Sequence, residues 1–524
     1  MRGGHALPVA WALVGTLALG AAAAPVVPPL APDAVDESDL ERLGVQVLDA
    51  PTVGRQPLAW YGKRVEAEVI PGPRRRLRST AVQALLGTAA EPCPSARVLA
   101  VRRGVRPDGE RLVIELDRPA CFRSEPASGP SVVVRAHLAA GALPAGVQAT
   151  PEGESLAIRA DPAIPGFAVV TTLGEPPRIV VDWRTAGIVE RTQNWTEGLM
   201  YRRRRLVWEG RPRRIEWLEF DPKQVRLGLL RPSGGTLTPL SALAEEAGAW
   251  AAVNGGFFNR MTAESLGPRR ALGVWLAGAV SGLRPRGAVG WSATGEWRFA
   301  RFAPTFGLRL GERVVPLTAF NGLAFADGLA VLTPAWGSSY TPAADELVAV
   351  VRDGTLAALV EGGGALPVPA DGFLTVARRG GRSTLAALAP ATSVAWQAEN
   401  TPGSVAELDD LIGAGPLLLQ DGRTVLDAEA EQFRPDVRAD GVARTAIARR
   451  GERGLLVVVS TEGASGMSLE SLARFLEREL GATDALNLDG GGSSGLWLGG
   501  RIRDRTGGFE RPLADGLGLW PLRP

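Results

Sequence analysis

The sequence predicts an α+β fold: a strand-rich, mixed-sheet catalytic domain preceded by a small β-sandwich-like module. Three observations carry this. Short apolar runs of strand length outnumber helical ones along the chain. Between residues 96 and 183 those runs alternate apolar with polar and are separated by glycine and proline turns. From residue 195 onward strands mix with a few helices, without the strict strand–helix alternation of a doubly wound sheet. A chain of 524 residues, 45% apolar and of net charge +2, holds enough apolar content for ordinary cores in two or three domains. Its charge balance calls for no nucleic acid.

Residues 1–24 carry Arg2 and His5, an apolar run over 7–19 and four alanines at 21–24, the pattern of a secretory signal peptide. This predicts an exported protein (periplasmic, cell-envelope or extracellular), with the signal either cleaved or kept as an anchor. Residues 25–39, rich in proline and acid, read as a linker. Residues 40–90, with a helix-like run over 77–86, suggest no chemistry and stay unassigned. Residues 91–190 predict the sandwich, with strands near 98–101, 111–116, 131–136, 155–158, 167–171 and 178–181. Cys93 and Cys121 are the only cysteines, so an exported chain most simply joins them in a disulfide. The clusters Arg74–Arg76 and Arg202–Arg205 read as solvated faces of an arginine-rich chain, with contact to an anionic polymer as the other reading.

The domain from 195 to 524 has predicted strands at 215–220, 225–230, 347–352, 374–377 and 455–459, and helices at 240–249 and 469–480. Ser468 stands at the N-cap of the second helix and Gly481 ends it. Its organising stretch is 485–495, where a strand over 486–488 runs into Asp489, then Gly490, Gly491, Gly492, Ser493 and Ser494. Gly490 to Gly495 spells G-x-G-x-x-G, but strand and turn follow it where a dinucleotide fingerprint needs a helix. A phosphate loop of the NTPase type is excluded too, since Lys63 and Lys223 are the only lysines. Residues 251–259 repeat the design, an apolar strand ending at Asn254, Gly255 and Gly256.

Histidine supplies the strongest exclusion. Only His5 and His137 exist, so the C-terminal domain holds neither a Ser-His-Asp triad nor a multi-histidine metal site. Acid–base work falls to carboxylates. The candidates are Asp489 and Glu462, with Asp421 read as a hairpin turn and Glu431 placed in a polar stretch. Arg444 is the best cation, because an arginine opening an apolar strand needs a site or a carboxylate to face. Ser493, Ser494 and the glycine backbone suggest a nest of N–H groups for phosphate or sugar oxygens. Asn254 suits a sugar hydroxyl or a turn cap. Phe257 and Phe258 read as core, and Trp275, Trp291, Trp297 and Trp336 as candidate sugar-stacking walls.

Four blocks in order, Asn254-Gly255-Gly256-Phe257-Phe258, Gly413-Ala414-Gly415-Pro416-Leu417-Leu418, Arg444-Thr445-Ala446-Ile447 and Asn487-Leu488-Asp489-Gly490-Gly491-Gly492-Ser493-Ser494, resemble the phosphodiester glycosidases. The resemblance spans about 195–522 and includes the closing Arg511-Pro512-Leu513-Ala514-Asp515. It departs at Ser460-Thr461-Glu462-Gly463, where the family often has Asp-Gly-Arg after a strand. Residues 91–190 are similar to the AMIN modules that precede some cell-wall enzymes, through 110–117 and 177–182. The resemblance implies hydrolysis of a sugar-1-phosphodiester of the N-acetylglucosamine type to free sugar and phosphomonoester. Asp489, Glu462 and Arg444 are then the catalytic candidates, with Asn254, Gly255, Gly256, Gly415, Gly490, Gly491, Gly492, Ser493 and Ser494 binding substrate. The expected partner is a glycan or sugar phosphate, with contact to cell-wall polymer through the N-terminal module. No cofactor is required, and a divalent cation is compatible with the chemistry. A non-catalytic polysaccharide-binding protein and a two-carboxylate glycoside hydrolase are the alternatives. The N-terminal module is expected to be dispensable for turnover.

Overall fold

The computed structural model describes residues 33–522 apart from 87–92, 94, 125–128, 140–142, 233–235, 279–283, 400–402 and 506–508. The predicted signal peptide and residues 25–32 of the predicted linker lie outside the described residues.

The strand Arg453–Ser460 is buried at every position after the first. A strand that is apolar at consecutive positions has two faces to cover, and both are covered here. It is the fourth strand of an eight-stranded sheet in the order Ile188–Thr196, Leu199–Trp208, Arg211–Phe220, Arg453–Ser460, Arg444–Arg450, Asp484–Asn487, Leu417–Gln420 and Arg423–Thr424. Neighbours in it run antiparallel. On one face Ile215, Trp217, Ala446, Leu455, Val457 and Val459 pack under the helix Leu469–Arg478. The Ser468 hydroxyl accepts from the Ser471 amide as the predicted N-cap. On the other face Leu218, Phe220, Ile447, Leu456 and Val458 meet two further sheets. Each such side chain, fully buried, contributes about 1.5–3 kcal/mol.

The second sheet orders Val225–Leu230, Gly516–Pro521, Ala251–Asn254 and Leu496–Leu498; the third orders Val274–Ala277, Arg269–Ala271, Asp410–Gly413, Arg286–Trp291 and Trp297–Phe302. Trp275, Trp291 and Trp297 are buried core residues, which corrects their reading as stacking walls. Residues 305–399 form three smaller sheets with hydrophobic clusters of their own, entered and left through the third sheet.

Register gathers the site. Arg444 faces Val459, Ala446 faces Asn487 and Arg214 faces Ser460. Leu417, just after Gly415 and Pro416, faces Leu486, and in the second sheet Asn254 faces Gly516. Every block that carried the family resemblance therefore opens or closes a strand at one common end of the stacked sheets.

The N-terminal part holds a five-stranded sheet over 34–78 and two further sheets over 96–184, of five and four strands. One hydrophobic core joins them, with Leu58 and Leu77 from the first, Ile114 and Val181 from the second and Val134 and Ile158 from the third. The Cys93–Cys121 disulfide, Cα atoms 5.3 Å apart, belongs to this core. His137 is exposed on an edge strand.

One boundary needs correcting. Residues 33–39 do not behave as linker: Ala34–Asp36 is a strand and Glu37 opens a helix. The Glu37 carboxylate is buried between Arg75 Nε (2.9 Å) and Arg503 Nη1 (3.3 Å), and a buried charge with two partners fixes the backbone that carries it. Arg75 and Arg503 also lie over the ring of Trp195. Glu41 meets Arg501 at 2.5 Å. The tip of the hairpin after Leu496–Leu498 is thus docked into the N-terminal part. The arginine cluster 202–205 is likewise paired: Arg202 and Arg204 share Glu190, and Arg204 also reaches Glu479.

Candidate active site

Asn254 is the joint between the two sheets. It is 1% exposed, and its Oδ1 accepts from Thr445 Oγ1 (2.7 Å) and the Gly495 amide (3.2 Å). Its Nδ2 donates to the carbonyl of Asp489 (2.7 Å). The Asp489 amide returns a bond to the Gly255 carbonyl (3.0 Å). With its amide occupied by protein, Asn254 positions the glycine turn and is not available to a sugar hydroxyl.

The next layer was not singled out as a pair in the sequence. Asp515 Oδ1 accepts from the Gly256 amide (2.9 Å), and Oδ2 accepts from Arg269 Nε (2.8 Å) and Ser265 Oγ (3.1 Å). A Cβ at Gly255 would lie 1.9 Å from Asp515 Oδ1, and one at Gly256 would lie 2.1 Å from Arg269 Nη2. Only glycine lets this buried pair come so close. The signal available was Gly267-Pro268-Arg269, a charged residue entering a strand, but its partner lies 246 positions away.

Gly415 exchanges bonds with Asn487: its amide donates to the Asn487 carbonyl (2.9 Å), and Asn487 Nδ2 donates to its carbonyl (2.9 Å). Glu431 is fully buried beside it and accepts from the amides of Gly287 and Leu417 and from Arg301 Nε. Burial lifts its carboxyl above the usual glutamate value, and its contacts make it a bracket between strands. Phe257 pairs with Phe433, ring centroids 5.4 Å apart. Asp421, at φ +50°, and Gly422 make the predicted turn.

Asp489 is half-buried at the head of the turn. Its Oδ1 accepts from the Gly490 amide (2.9 Å). Burial raises its carboxyl above the usual aspartate value; Ser493, Gly490, Arg511 and Arg260 draw it only part of the way back. A carboxylate with increased proton affinity, cations on its flank and glycine backbone around it is suited to accept a proton.

Three expectations change here. Arg444 is 2% exposed, and each guanidinium nitrogen donates to a backbone carbonyl: Nε to Met467 (2.7 Å), Nη1 to Val437 (2.7 Å) and Nη2 to Ala439 (2.6 Å). Burial brings its pKa down to about 10. Arg444 therefore ties the 437–439 segment to the sheet, with all three guanidinium nitrogens on backbone carbonyls. The nest of N–H groups is also largely committed. The amides of Gly490, Gly491, Ser493, Ser494 and Gly495 donate to Asp489 Oδ1, Ala443 O, Gly490 O, Gly491 O and Asn254 Oδ1. Ser494 is buried and its carbonyl accepts from Arg505. Glu462, finally, is placed on Arg214 Nη1 (3.0 Å), whose Nη2 holds Glu216 (2.7 Å) and the Arg503 carbonyl (2.6 Å). Its neighbourhood is the ion-pair cluster that joins the eight-stranded sheet to the docked hairpin.

Among the described residues no group of three His, Cys, Asp or Glu side chains is arranged to hold a metal ion. That donor set neither calls for a divalent cation nor bars one carried in with a phosphate. No helix among the described residues is long and apolar enough to cross a membrane.

No curated protein matches the chain. Among solved structures, a hypothetical protein from Synechocystis is 28% identical with a TM-score of 0.76, covering 93% of this chain and 94% of that one. It shares the fold along nearly the whole length, N-terminal sheets included. A putative exported protein from Burkholderia pseudomallei K96243 is 18% identical with a TM-score of 0.49, over 83% of this chain and 99% of that one. The zebrafish N-acetylglucosamine-1-phosphodiester alpha-N-acetylglucosaminidase catalytic domain, auto-inhibited by its pro-peptide, is 16% identical with a TM-score of 0.34, over 64% of this chain and 89% of that one. The phosphodiester glycosidase family model matches residues 345–520, which hold three of the four sequence blocks and leave Asn254 to Phe258 outside. Over residues 345–520 the chain is thus similar to the phosphodiester glycosidases.

Proposed function

We propose that the enzyme hydrolyses a sugar-1-phosphodiester of the N-acetylglucosamine type on cell-envelope material, acting as an exported protein. The observation that carries the reading is Asp489: a carboxylate of raised proton affinity, flanked by Arg511 and Arg260, in a turn that belongs to the family-matched segment. The disulfide agrees with an oxidising compartment.

Asp489 acts as base for water. The water oxygen bonds the anomeric carbon and its proton passes to Asp489. The bond from that carbon to the phosphate oxygen breaks, and its electron pair leaves on the phosphate. The products are free sugar and a phosphomonoester, whose second pKa of about 6 lets it depart without a strong general acid. A lone carboxylate whose proton affinity is raised suits this role, since a stronger base takes the proton of the water more readily. Glu462, paired with Arg214, braces the site from behind.

The test sets purified protein against a methyl N-acetylglucosamine-1-phosphodiester, a nitrophenyl N-acetylglucosaminide and cell-wall polymer, assaying free sugar and phosphomonoester. Release of both from the phosphodiester is expected, with the sugar first appearing as the inverted anomer. Release from the nitrophenyl sugar alone would make it an ordinary glycoside hydrolase.

A further inference from the structure

We propose that Arg511, acting with Ser493, is the group that receives the substrate's phosphate. The proposal rests on the phosphodiesterase reading above and supplies the cation that Arg444 does not.

The guanidinium of Arg511 lies directly over the glycine turn. A Cβ at Gly492, an exposed position, would stand 2.5 Å from its Nη2 and 2.7 Å from its Cζ. Glycine there is what allows the planar fork to rest on the backbone. Arg511 Nη1 reaches Ser493 Oγ at 3.4 Å, a long contact that a better acceptor displaces at little cost. Ser493 also draws the Asp489 carboxyl part of the way back toward the usual value. Arg511 and Asp489 therefore meet at the same turn, the guanidinium drawing the carboxyl down. With the water held by Asp489 on one face of the anomeric carbon, the phosphate leaves on the other, and Arg511 is the guanidinium over the turn that can receive it.

Charge makes this placement productive. The phosphodiester arrives with a single negative charge and the phosphomonoester leaves with up to two. A guanidinium that grips two phosphate oxygens gains most as that second charge develops, so it stabilises the transition state more than the bound substrate. Its fork geometry matches phosphate where a point charge does not. Arg260, exposed across the turn, adds to the same field at Asp489.

The experiment compares wild type with Arg511→Lys and Arg511→Gln on the phosphodiester and on the nitrophenyl glycoside, and measures inhibition and thermal stabilisation by inorganic phosphate. For Arg511→Gln, kcat/KM is expected to fall at least ~100-fold on the phosphodiester and at least tenfold less on the nitrophenyl sugar. Phosphate inhibition and stabilisation should be lost, and Arg511→Lys should recover part of the charge effect without the fork. Equal losses on both substrates, with phosphate binding intact, overturn the proposal and leave Arg511 as a prop for Asp489. Should wild type turn over neither substrate, phosphate stabilisation still decides: its loss in Arg511→Gln upholds the anion site, and its persistence overturns it.

Discussion

Replacing Glu37 with glutamine removes a carboxylate shared by two buried arginines while keeping its shape. The side chains of Glu37, Arg75 and Arg503 are 1%, 1% and 4% exposed. Gln193 Nε2 also donates to both carboxylate oxygens, at 3.3–3.4 Å. Glutamine leaves two guanidinium ions in a dry interface with their counter-charge gone. Breaking a buried pair from one side costs about 3–5 kcal/mol, a large share of the 5–15 kcal/mol that holds a typical domain. The perturbation should reach the glycine turn, because Arg503 also donates to the Leu498 carbonyl (2.9 Å) and its own carbonyl accepts from Arg214. Urea unfolding of Glu37→Gln, extrapolated to water, should show a stability lowered by that amount. A double-mutant cycle with Arg503→Gln should give a coupling above 1 kcal/mol. A loss below 1 kcal/mol with no coupling would refute the clamp. The same contacts reverse the expectation that the N-terminal module is dispensable: deleting residues 25–190 strips Arg501 and Arg503 of their partners and uncovers Trp195, so the remainder should misfold or lose turnover.

Other tests follow from single contacts. Arg444→Lys cannot reach three carbonyls at once, so it should lower stability by about 2–4 kcal/mol and reduce turnover of phosphodiester and aryl glycoside equally; selective loss on the phosphodiester would instead give Arg444 a role at the phosphate. Serine at Cys93 and Cys121 opens a link between residues 28 apart and should cost about 3–4 kcal/mol, with free-thiol labelling of the unfolded wild type finding none until reduction. Burial alone would raise the Glu41 carboxyl, but Arg501, Arg203 and Arg503 outweigh it and bring it down to about 2. Its contribution is therefore present above about pH 4.3 and lost as pH falls toward 2, and Glu41→Gln should flatten the stability profile in that window.

The sequence revealed what is local. The helix at 469–478 announced itself by apolar spacing and Ser468, and the turn at Asp421-Gly422 by its residue types. Asp489 before three glycines read as a strand running into a turn, and that strand, Asp484–Asn487, lies between those of Arg444 and Leu417 in the sheet. What stayed hidden depends on distant partners. An arginine opening an apolar strand looks the same whether it faces a phosphate or three carbonyls, because a carbonyl acceptor leaves no trace in residue type. Arg269 and Asp515 are separated by most of the domain, and Glu37 and Arg503 by 466 positions. Composition made Glu37 read as linker; the buried cations that require it are visible only in three dimensions.

The central claim is that Asp489 performs the chemistry, and Asp489→Asn tests it directly through initial rates on the sugar-1-phosphodiester alongside a melting curve. Because burial raises the folded-state pKa of Asp489, its favourable contribution is present below the unfolded value of about 3.9 and lost as pH rises through the folded value. At neutral pH the ionised carboxylate thus costs stability, and the amide should melt at or above the wild-type temperature. The rate should nonetheless fall at least ~100-fold. A variant that melts normally and keeps near-normal turnover would contradict the claim, reduce Asp489 to a turn residue and move the base to another carboxylate, Glu462 first.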